Sequence, residues 1–392
     1  MSIQTAPCTL SLKGRGPKRG AQVARHVGEK AIPLAHPIIG DEEKSAVMRV
    51  LESGQLAQGP VVAEFEGEFA RWCGVRHAVA VSNGTTALHL ALLAHGIGPG
   101  DEVITTPFTF IASANAMLFV GATPVFVDVE PDTFTIDPEL VEAAITPRTR
   151  AILPVHLYGH AAAMPALSYI ARRRQLLVIE DACQAHGATV NQRKVGTLGN
   201  TAVYSLYPTK NMTSAEGGFV TTDDERIAAS VRMLRQHGES ERYLHQVLGY
   251  NFRMTDVAAA IGLAQLRRLD GFNASRRRNA GVLTQGLEGI EGLIPPLERA
   301  GFGHVYHQYT VRVMAGRDDL RTKLSARGIG SGVYYPIPVH QQPLYVARGY
   351  GGQSYPVSER LTKEVLSLPV HPALSDADLT RITLAMREEM AR

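Results

Sequence analysis

Between about residues 75 and 222, short apolar runs alternate with segments long enough to form helices. The β-prone runs are "VRHAVAVS", "DEVITTP", "TPVFVDVE", "RAILPVHLYG" and "LLVIED", and the segments between them are "TTALHLALLAHG", "IASANAMLFVG", "DPELVEAAI" and "MPALSYIARRRQ". Strands that are apolar along their whole length and separated by helices are typical of a mostly parallel sheet with helices on both faces. The pattern therefore predicts an α/β fold.

The pattern changes in the second half of the chain. Thr255 and Asp256 predict the start of a long helix, because both residue types favour the N-terminal end of a helix. From about His304 onward, short β-prone and helical segments are mixed, as expected of a small α+β domain. Ser375 and Asp378 have the spacing of a capping box and predict the start of the last helix.

The N-terminal segment differs from the rest of the chain in its excess of basic residues. Residues 1–30 contain six basic side chains and one acidic side chain, and they lack the apolar stretch that a secretory signal needs. We interpret this segment as a flexible basic tail, with a transit peptide as the alternative. The predicted organisation is a tail over residues 1–31, a large domain over 32–270 and a smaller C-terminal α+β domain over 271–392.

The overall composition narrows the class of protein. The 40 basic and 37 acidic residues are spread along the chain, so the charge balance indicates no nucleic-acid partner. No apolar run approaches the roughly 20 residues that a membrane-spanning helix needs. The three cysteines lie far apart and predict a reducing cytoplasm rather than a disulfide framework. The 14 histidines form no H-E-x-x-H motif or tight cluster, so no metal site is predicted.

Polar residues with chemical potential follow three of the predicted strands, and the carboxyl ends of parallel strands are where α/β proteins bind ligands. In "VSNGTTALHLAL", Thr85 and Thr86 lie between a strand and a helix, where backbone N–H groups and hydroxyls can bind an anion. A simple capped helix start is the alternative for this segment. In "LLVIEDACQAHGA", Asp181 and Gln184 follow a buried strand, and Asp181 could instead cap the next helix.

The third strand end, "AVYSLYPTKNM", contains Ser205 and Lys210. An anion site, a buried acid and a lysine in one cleft are the parts that a pyridoxal phosphate enzyme requires. A helix N-terminus holds the phosphate, a carboxylate keeps the pyridine nitrogen protonated, and a lysine amine forms a Schiff base with the aldehyde. The three strand ends together therefore favour an enzyme of this type.

From about Ile32 to the C-terminus, the chain resembles the DegT/DnrJ/EryC1/StrS sugar aminotransferases, which are pyridoxal phosphate enzymes of fold type I. The matching stretches are "SNGTTAL", "TPFTFIASANAM", "GATPVFVDVEPDTFTID", "PVHLYGHAA", "IEDACQAHGA", "SLYPTKN", "EGG", "GYNFRMTDVAAAIGLAQL", "GVYYPIPVHQQPLY" and "LSLPVHP". The resemblance implies a large domain whose mostly parallel central sheet lies between helices, followed by a smaller C-terminal α+β domain.

The resemblance also implies roles for individual residues. Lys210 and Asp181 are implied to be catalytic, with Lys210 bound to the cofactor as a Schiff base and Asp181 paired with its pyridine N–H. Asn251 matches a residue that reaches the phosphate bound by the neighbouring subunit, which implies a homodimer with shared active sites. The remaining implied contacts are Gln184 to the ring hydroxyl, Ser205, Thr85 and Thr86 to the phosphate, Phe110 stacked on the ring, and Tyr335 and His340 in the sugar pocket.

The reaction implied by the resemblance is amino transfer from L-glutamate to a nucleotide-linked keto-sugar, a 4-keto-6-deoxyhexose or a 3-keto-sugar. The amino sugar formed would enter glycan or secondary-metabolite biosynthesis. Two alternatives stay open, a cyclitol aminotransferase that uses glutamine and a non-catalytic regulator that keeps the fold. A third, a sugar dehydratase with histidine in place of the lysine, is disfavoured because Lys210 is present.

Overall fold

The computed structural model describes residues 30–391. The predicted tail, residues 1–31, lies outside the described residues except for Lys30 and Ala31. The helices are α1 (Asp41–Ser53), α2 (Pro60–Cys73), α3 (Gly84–Ala94), α4 (Ala112–Phe119), α5 (Pro138–Ala143), α6 (Met164–Arg174), α7 (Glu225–Leu234), α8 (Asp256–Leu287), α9 (Arg317–Ala326), α10 (Pro343–Val346), α11 (Pro356–Glu364) and α12 (Asp376–Met390). The strands are β1 (His77–Val81), β2 (Glu102–Thr105), β3 (Thr123–Phe126), β4 (Thr149–Ile152), β5 (Leu177–Asp181), β6 (Thr189–Val190), β7 (Arg193–Lys194), β8 (Thr201–Ser205), β9 (Gly218–Thr222), β10 (Glu239–Glu241), β11 (Leu244–His245), β12 (Leu293–Ile294), β13 (Phe302–Gly303), β14 (Tyr309–Val313) and β15 (Val365–Leu368).

A large sheet forms the centre of the described chain, with seven strands in the order β1-β9-β8-β5-β4-β2-β3. Strand β9 runs antiparallel to its neighbours β1 and β8, and every other neighbouring pair in the sheet is parallel. The strands predicted between residues 75 and 181 are all present. The prediction of an α/β fold with a mostly parallel sheet is confirmed.

Both faces of this sheet are buried, and β1 shows why its strands lack polar positions. Val79 and Val81 pack into one apolar core, whereas Ala78 and Ala80 pack into the other. Successive side chains of a strand point to opposite faces, so a strand covered on both sides must be apolar throughout. Helices α3, α4 and α7 cover one face, and α2 and α8 with α5 and α6 cover the other.

A separate apolar core, here called the C-terminal core, lies in the C-terminal part of the chain. Strands β12, β14 and β15 form an antiparallel sheet that packs against α9, α12 and the C-terminal half of α8. Helix α8 is continuous. Leu269 still packs into the core between α8 and the large sheet, whereas Ala280 packs into the C-terminal core. The predicted boundary between residues 270 and 271 lies within that interval. Ile32, the first residue of the predicted large domain, packs instead in the C-terminal core and pairs with Ile329.

The predicted helix starts agree with the structure. The Thr255 hydroxyl accepts a hydrogen bond from the Ala258 N–H at 3.1 Å, so Thr255 caps α8. The Ser375 hydroxyl accepts one from the Asp378 N–H at 3.2 Å and donates to the Asp378 carboxylate at 2.7 Å, which forms the predicted capping box of α12. Within residues 30–391, no helix has the length and apolar character needed to span a membrane.

Candidate active site

A cavity of about 640 Å³ opens where the carboxyl ends of β5 and β8 meet the N-terminus of α3. This is the position at which open parallel sheets bind ligands. The structure brings eight of the ten predicted site residues to its wall. They are Thr85, Thr86, Phe110, Asp181, Gln184, Ser205, Lys210 and Tyr335.

The N-terminus of α3 forms one wall of the cavity. Asn83 caps the helix, since its side-chain oxygen accepts from the Thr86 N–H at 2.9 Å. The Thr86 hydroxyl in turn accepts from the Asn83 N–H at 3.1 Å and donates to the Asn83 carbonyl at 2.8 Å. The capped-helix interpretation of this segment is therefore correct for Thr86, whose polar groups serve the cap. Gly84 and Thr85 are the first residues of the helix and also line the cavity, so their N–H groups, which have no partner within the helix, can donate to an anion there.

Gly84 lets α3 approach β8 closely. A Cβ atom at Gly84 would lie 2.7 Å from the Ser205 Cβ and 3.2 Å from the Cys183 sulfur. A larger residue at this position would displace the helix. Because Gly84 allows the close approach, the Ser205 hydroxyl lies beside the first turn of α3. A hydroxyl next to helix N–H groups is a fitting site for a phosphate.

Asp181 ends β5 on the cavity wall and is only 4% exposed. Its Oδ2 accepts from the Ser113 hydroxyl at 2.7 Å, and its Oδ1 accepts from the Cys183 N–H at 3.1 Å. The alternative that Asp181 caps a helix is wrong, because residues 182–188 form turns and the next described helix, α7, begins at Glu225. The buried carboxylate is thus held by two donors and faces the cavity.

Gln184 is fixed in the same turn region. Its side-chain oxygen accepts from the Tyr158 N–H at 2.9 Å, and its Nε2 donates to the Tyr335 hydroxyl at 3.1 Å. The Tyr335 ring lies 6.0 Å from the Phe110 ring, centroid to centroid. Phe110 is 54% exposed, so a large apolar surface is available on this wall for a flat aromatic ligand.

Lys210 lies in the loop that follows β8, and its backbone N–H donates to the Tyr207 carbonyl at 2.9 Å. Burial lowers the pKa of the Lys210 amine from 10.5, and the neighbouring Cys183 and Asp181 oppose this shift. In the part of the chain that the structure describes, no hydrogen bond or ion pair holds the amine. A lysine with a lowered pKa and an unpaired amine is suited to act as a nucleophile and a base.

Two predicted residues lie away from this cavity. His340 is fully buried, its Nε2 lies 3.2 Å from Glu359 Oε1 and its ring packs on Tyr355, so the structure places it outside the cavity wall. The short 3₁₀ turn Val339–Gln341 orients it toward α11 rather than toward the ligand space. Asn251 is exposed and forms a bridge with Gln236, outside the cavity of its own chain.

Sequence reasoning missed other residues of the wall. Ser113 holds the Asp181 carboxylate, but a serine within an apolar helix gives no sign of that contact. Arg276 and His307 also line the cavity. Arg276 belongs to the run "SRRR" in α8, which resembles an ordinary charged helix face, and only the helical phase distinguishes its buried side chain from the exposed Arg277 and Arg278.

The combination of this sheet order with a C-terminal α+β unit is that of the fold-type I aminotransferases. The crystal structure of DesV from Streptomyces venezuelae, in complex with a ketimine intermediate, matches with a TM-score of 0.87 and 44% identity and covers 90% of this chain and 95% of that one. Residues 37–387 match the model of the DegT/DnrJ/EryC1/StrS aminotransferase family. The chain belongs to this family and is an aminotransferase.

Two relatives show the range of names within the family. The dTDP-3-amino-3,4,6-trideoxy-alpha-D-glucose transaminase of Streptomyces venezuelae is 44% identical over 358 residues, which cover 91% of this chain and 94% of that protein. A protein of Geobacillus stearothermophilus named "Pleiotropic regulatory protein" is 45% identical over 343 residues, which cover 86% of this chain and 92% of that protein.

Proposed function

We propose that this chain is a pyridoxal phosphate-dependent aminotransferase that moves an amino group from L-glutamate to a keto group on a nucleotide-linked hexose. The observation that supports this most strongly is the shared cavity of Lys210, Asp181 and the α3 N-terminus. An amine, a buried carboxylate and an anion cradle are the protein groups that this cofactor needs. A relative named as a dTDP-sugar transaminase supports the sugar substrate.

The cradle at α3 fits the cofactor's phosphate. We assign the phosphate contacts to the N–H groups of Gly84 and Thr85 and to the hydroxyls of Thr85 and Ser205, with Thr86 acting through the helix cap. The negative charge of the phosphate is favoured at this position because a helix N-terminus has a partial positive charge. Phe110 offers the apolar surface for the ring, and Gln184 is placed by Tyr158 to bind the ring hydroxyl.

When bound, the cofactor supplies an electron sink for the electron pair of the donor's Cα–H bond. Asp181 holds a proton at the pyridine nitrogen, and Ser113 and the Cys183 N–H orient that carboxylate. The Lys210 amine binds the cofactor in the resting enzyme and, once released, moves the Cα proton. Its lowered pKa keeps a larger share of the amine in the basic form.

The two other functions can be separated by experiment. A regulator that only binds a ligand, as the name of the Geobacillus stearothermophilus relative suggests, has no need for an unpaired lysine beside a buried aspartate. A cyclitol aminotransferase would use the same cavity with glutamine as donor. We favour the nucleotide sugar, with a 4-keto-6-deoxyhexose as the first compound to test.

The test is to incubate the holoenzyme with nitrogen-labelled L-glutamate or L-glutamine and a panel of dTDP-, UDP- and GDP-linked keto-sugars and a keto-cyclitol. Mass spectrometry then detects transfer of the label. We expect a labelled amino sugar with glutamate as donor, and the Lys210→Ala variant serves as the blank. Labelled cyclitol from glutamine, or no labelled product from any pair, would contradict the proposal.

Substitution Gly84→Ala should weaken binding of pyridoxal phosphate, because the added methyl group would push α3 away from Ser205 and open the anion cradle. We expect the dissociation constant to rise by roughly tenfold or more, as for the loss of charge-assisted hydrogen bonds. Fluorescence titration of the apoenzyme with the cofactor measures it. Gly67→Ala in α2 is the matched control, since no atom lies within 4 Å of the added group. Equal affinities of the two variants would refute the cradle.

We also propose a homodimer in which Asn251 reaches the partner's cofactor phosphate. The hairpin of β10 and β11, together with the residues between it and Asn251, exposes apolar side chains, with Tyr243 78% and Leu248 84% accessible. Exposed apolar groups clustered on one segment favour a protein interface. Burial of this segment by a second copy would bring the exposed Asn251 to the partner.

Mixing two defective chains tests the shared site. Asn251→Asp places a carboxylate against the partner's phosphate, and Lys210→Ala removes the amine of its own site, so each homodimer should be nearly inactive. In the mixed dimer one site has both defects and the other has neither. Activity should return to about half of wild type per mixed dimer. If differently tagged chains co-purify and activity stays at the level of the separate variants, Asn251 does not act across the interface.

We propose the cytoplasm as the location of the enzyme. Cys73 and Cys183 are free thiols, which suits a reducing compartment. Nucleotide-linked sugars, the proposed substrates, also require an enzyme on the side of the membrane where nucleotides are made.

A further inference from the structure

Arg276 is a buried cation on the cavity wall that lacks a carboxylate partner. It projects from α8, is 6% exposed and lines the cavity together with Lys210. Two carboxylates, Asp181 and Glu216, also line the cavity. Across residues 30–391, none of the ion pairs involves Arg276. A buried charge without a counter-ion is unfavourable, so this position indicates an anionic ligand.

One edge of the guanidinium is hydrogen-bonded, and the other edge has no hydrogen-bond partner among the described residues. Its Nη1 donates to the carbonyls of Tyr306 at 3.1 Å and His307 at 3.3 Å, which fix the plane of the group. The buried Nε has no hydrogen-bond partner among the described residues. The hydrogen bonds of the guanidinium to those residues both come from Nη1, so Nη2 has none. Nε and Nη2 form the side-on fork of arginine, whose geometry matches the two oxygens of a carboxylate.

The histidine next to Arg276 on this wall, His307, adds no charge. Burial, reinforced by Lys210 and Arg276, holds the pKa of His307 well below its usual value, so this histidine is neutral at physiological pH. Burial also lowers the pKa of Arg276 to about 10, which leaves it charged at that pH. Arg276 therefore stays charged while its neighbour His307 is neutral.

We propose that Arg276 binds a carboxylate of the amino donor, an inference that rests on the proposed function. The cofactor's phosphate is assigned to the α3 cradle, so Arg276 is available to a second anion. Arg276 and Lys210 line the same cavity and also a smaller cavity beside it, so an anion on the fork lies near the amine. A side chain this deeply buried admits a carboxylate more readily than the bulky diphosphate of a nucleotide sugar.

The test compares Arg276→Gln with Arg277→Gln, the same substitution at the next, exposed position of α8. Glutarate, a dicarboxylate that cannot transaminate, is titrated calorimetrically into each holoenzyme, with neutral glutaramide as a probe of non-ionic binding. We expect the dissociation constant for glutarate to rise roughly tenfold or more in Arg276→Gln, the scale of a lost hydrogen bond to a charged group. Arg277→Gln and the glutaramide titrations should stay within about threefold of wild type, since no charged contact is removed.

Kinetics of the separate half-reactions locate the effect. Stopped-flow absorbance of the cofactor should show a higher apparent dissociation constant for glutamate in Arg276→Gln and an unchanged constant for the keto-sugar. Arg276→Lys keeps the charge and loses the fork, so it should bind glutarate with intermediate affinity, and it replaces Arg276→Gln if that variant does not fold. Unchanged glutarate affinity, or a loss confined to the keto-sugar, would overturn the inference. If wild-type enzyme binds glutarate through Arg276 but glutamate never changes the absorbance, the proposed donor is wrong and the anion site stands.

Discussion

Replacing Lys210 with alanine is expected to abolish multiple-turnover amino transfer while leaving the fold intact. The lost amine is proposed both to bind the cofactor and to move the Cα proton. The acid–base role alone contributes about 10²–10⁴-fold to a rate. Product formation over many turnovers, measured with labelled donor and keto-sugar, should fall to the level of the reaction without enzyme.

The same substitution should not destabilise the protein. Burial lowers the pKa of the Lys210 amine below its unfolded value of 10.5, so the folded protein binds fewer protons than the unfolded chain between the two pKa values. Stability therefore rises with pH across that window, and below it the full cost of burying a charged amine is present. At neutral pH, thermal unfolding of Lys210→Ala should occur at the same temperature as wild type or higher.

Two further variants separate the chemistry of Lys210 from its charge. Lys210→Arg keeps a cation but has no amine that can act as a nucleophile or base near neutral pH, so it should be as inactive as the alanine variant. Lys363→Ala, which removes an exposed lysine of α11, should keep wild-type activity. Turnover near that of wild type in either Lys210 variant would refute the proposed role of the amine.

Sequence patterns predicted the elements of the large domain because their signals are local. Apolar runs that end in Asp181 and Ser205 indicate buried strands, and the same runs end at the sheet edge where the cavity opens. Thr255 and Ser375 predicted helix starts through contacts three residues away. Such contacts depend on neighbours in the chain, so they can be inferred without knowledge of the tertiary structure.

The strand order and the closest contacts of the site could not be inferred in the same way. Strand β9 lies antiparallel between β1 and β8, an arrangement set by the packing of the whole sheet. Ser113 reaches Asp181 across 68 positions of sequence, and Gly84 approaches Ser205 across an even longer separation. These pairs form only when distant elements pack together, and the apolar helix around Ser113 gives no local sign of its contact.

Side-chain direction limited the remaining predictions. The motif around His340 implied that this residue lies in the sugar pocket, yet the backbone turn directs its ring to Glu359 and not to the cavity. Arg276 shows the opposite case, since one of three consecutive arginines points inward because α8 packs on two cores. Motifs assign residues to positions, and packing decides which of them face a ligand.

Asp181→Asn is expected to retain the cofactor and lose most of the activity. The amide has nearly the size of the carboxylate, and the Ser113 hydroxyl can rotate so that it accepts from the new amide instead of donating to Asp181 Oδ2. A neutral amide cannot stabilise a protonated pyridine nitrogen, so less of the negative charge that develops when the Cα proton leaves is neutralised. Removing one preorganised electrostatic group of this kind costs roughly 10²–10³-fold in turnover.

Asp128→Asn provides the matched control for that result. Asp128 is another buried carboxylate, and it accepts hydrogen bonds from the Val357 and Ser358 N–H groups and from the Ser358 hydroxyl, away from the cavity. Its substitution should lower the temperature of thermal unfolding, because an amide leaves one of these donors without an acceptor, and should leave the turnover number within about threefold of wild type. Asp181→Asn should show the reverse, a retained melting temperature, a retained cofactor stoichiometry and a lost turnover. If Asp181→Asn turns over at the wild-type rate, or if both variants lose activity in proportion to their stability, Asp181 acts on the fold rather than on the pyridine nitrogen.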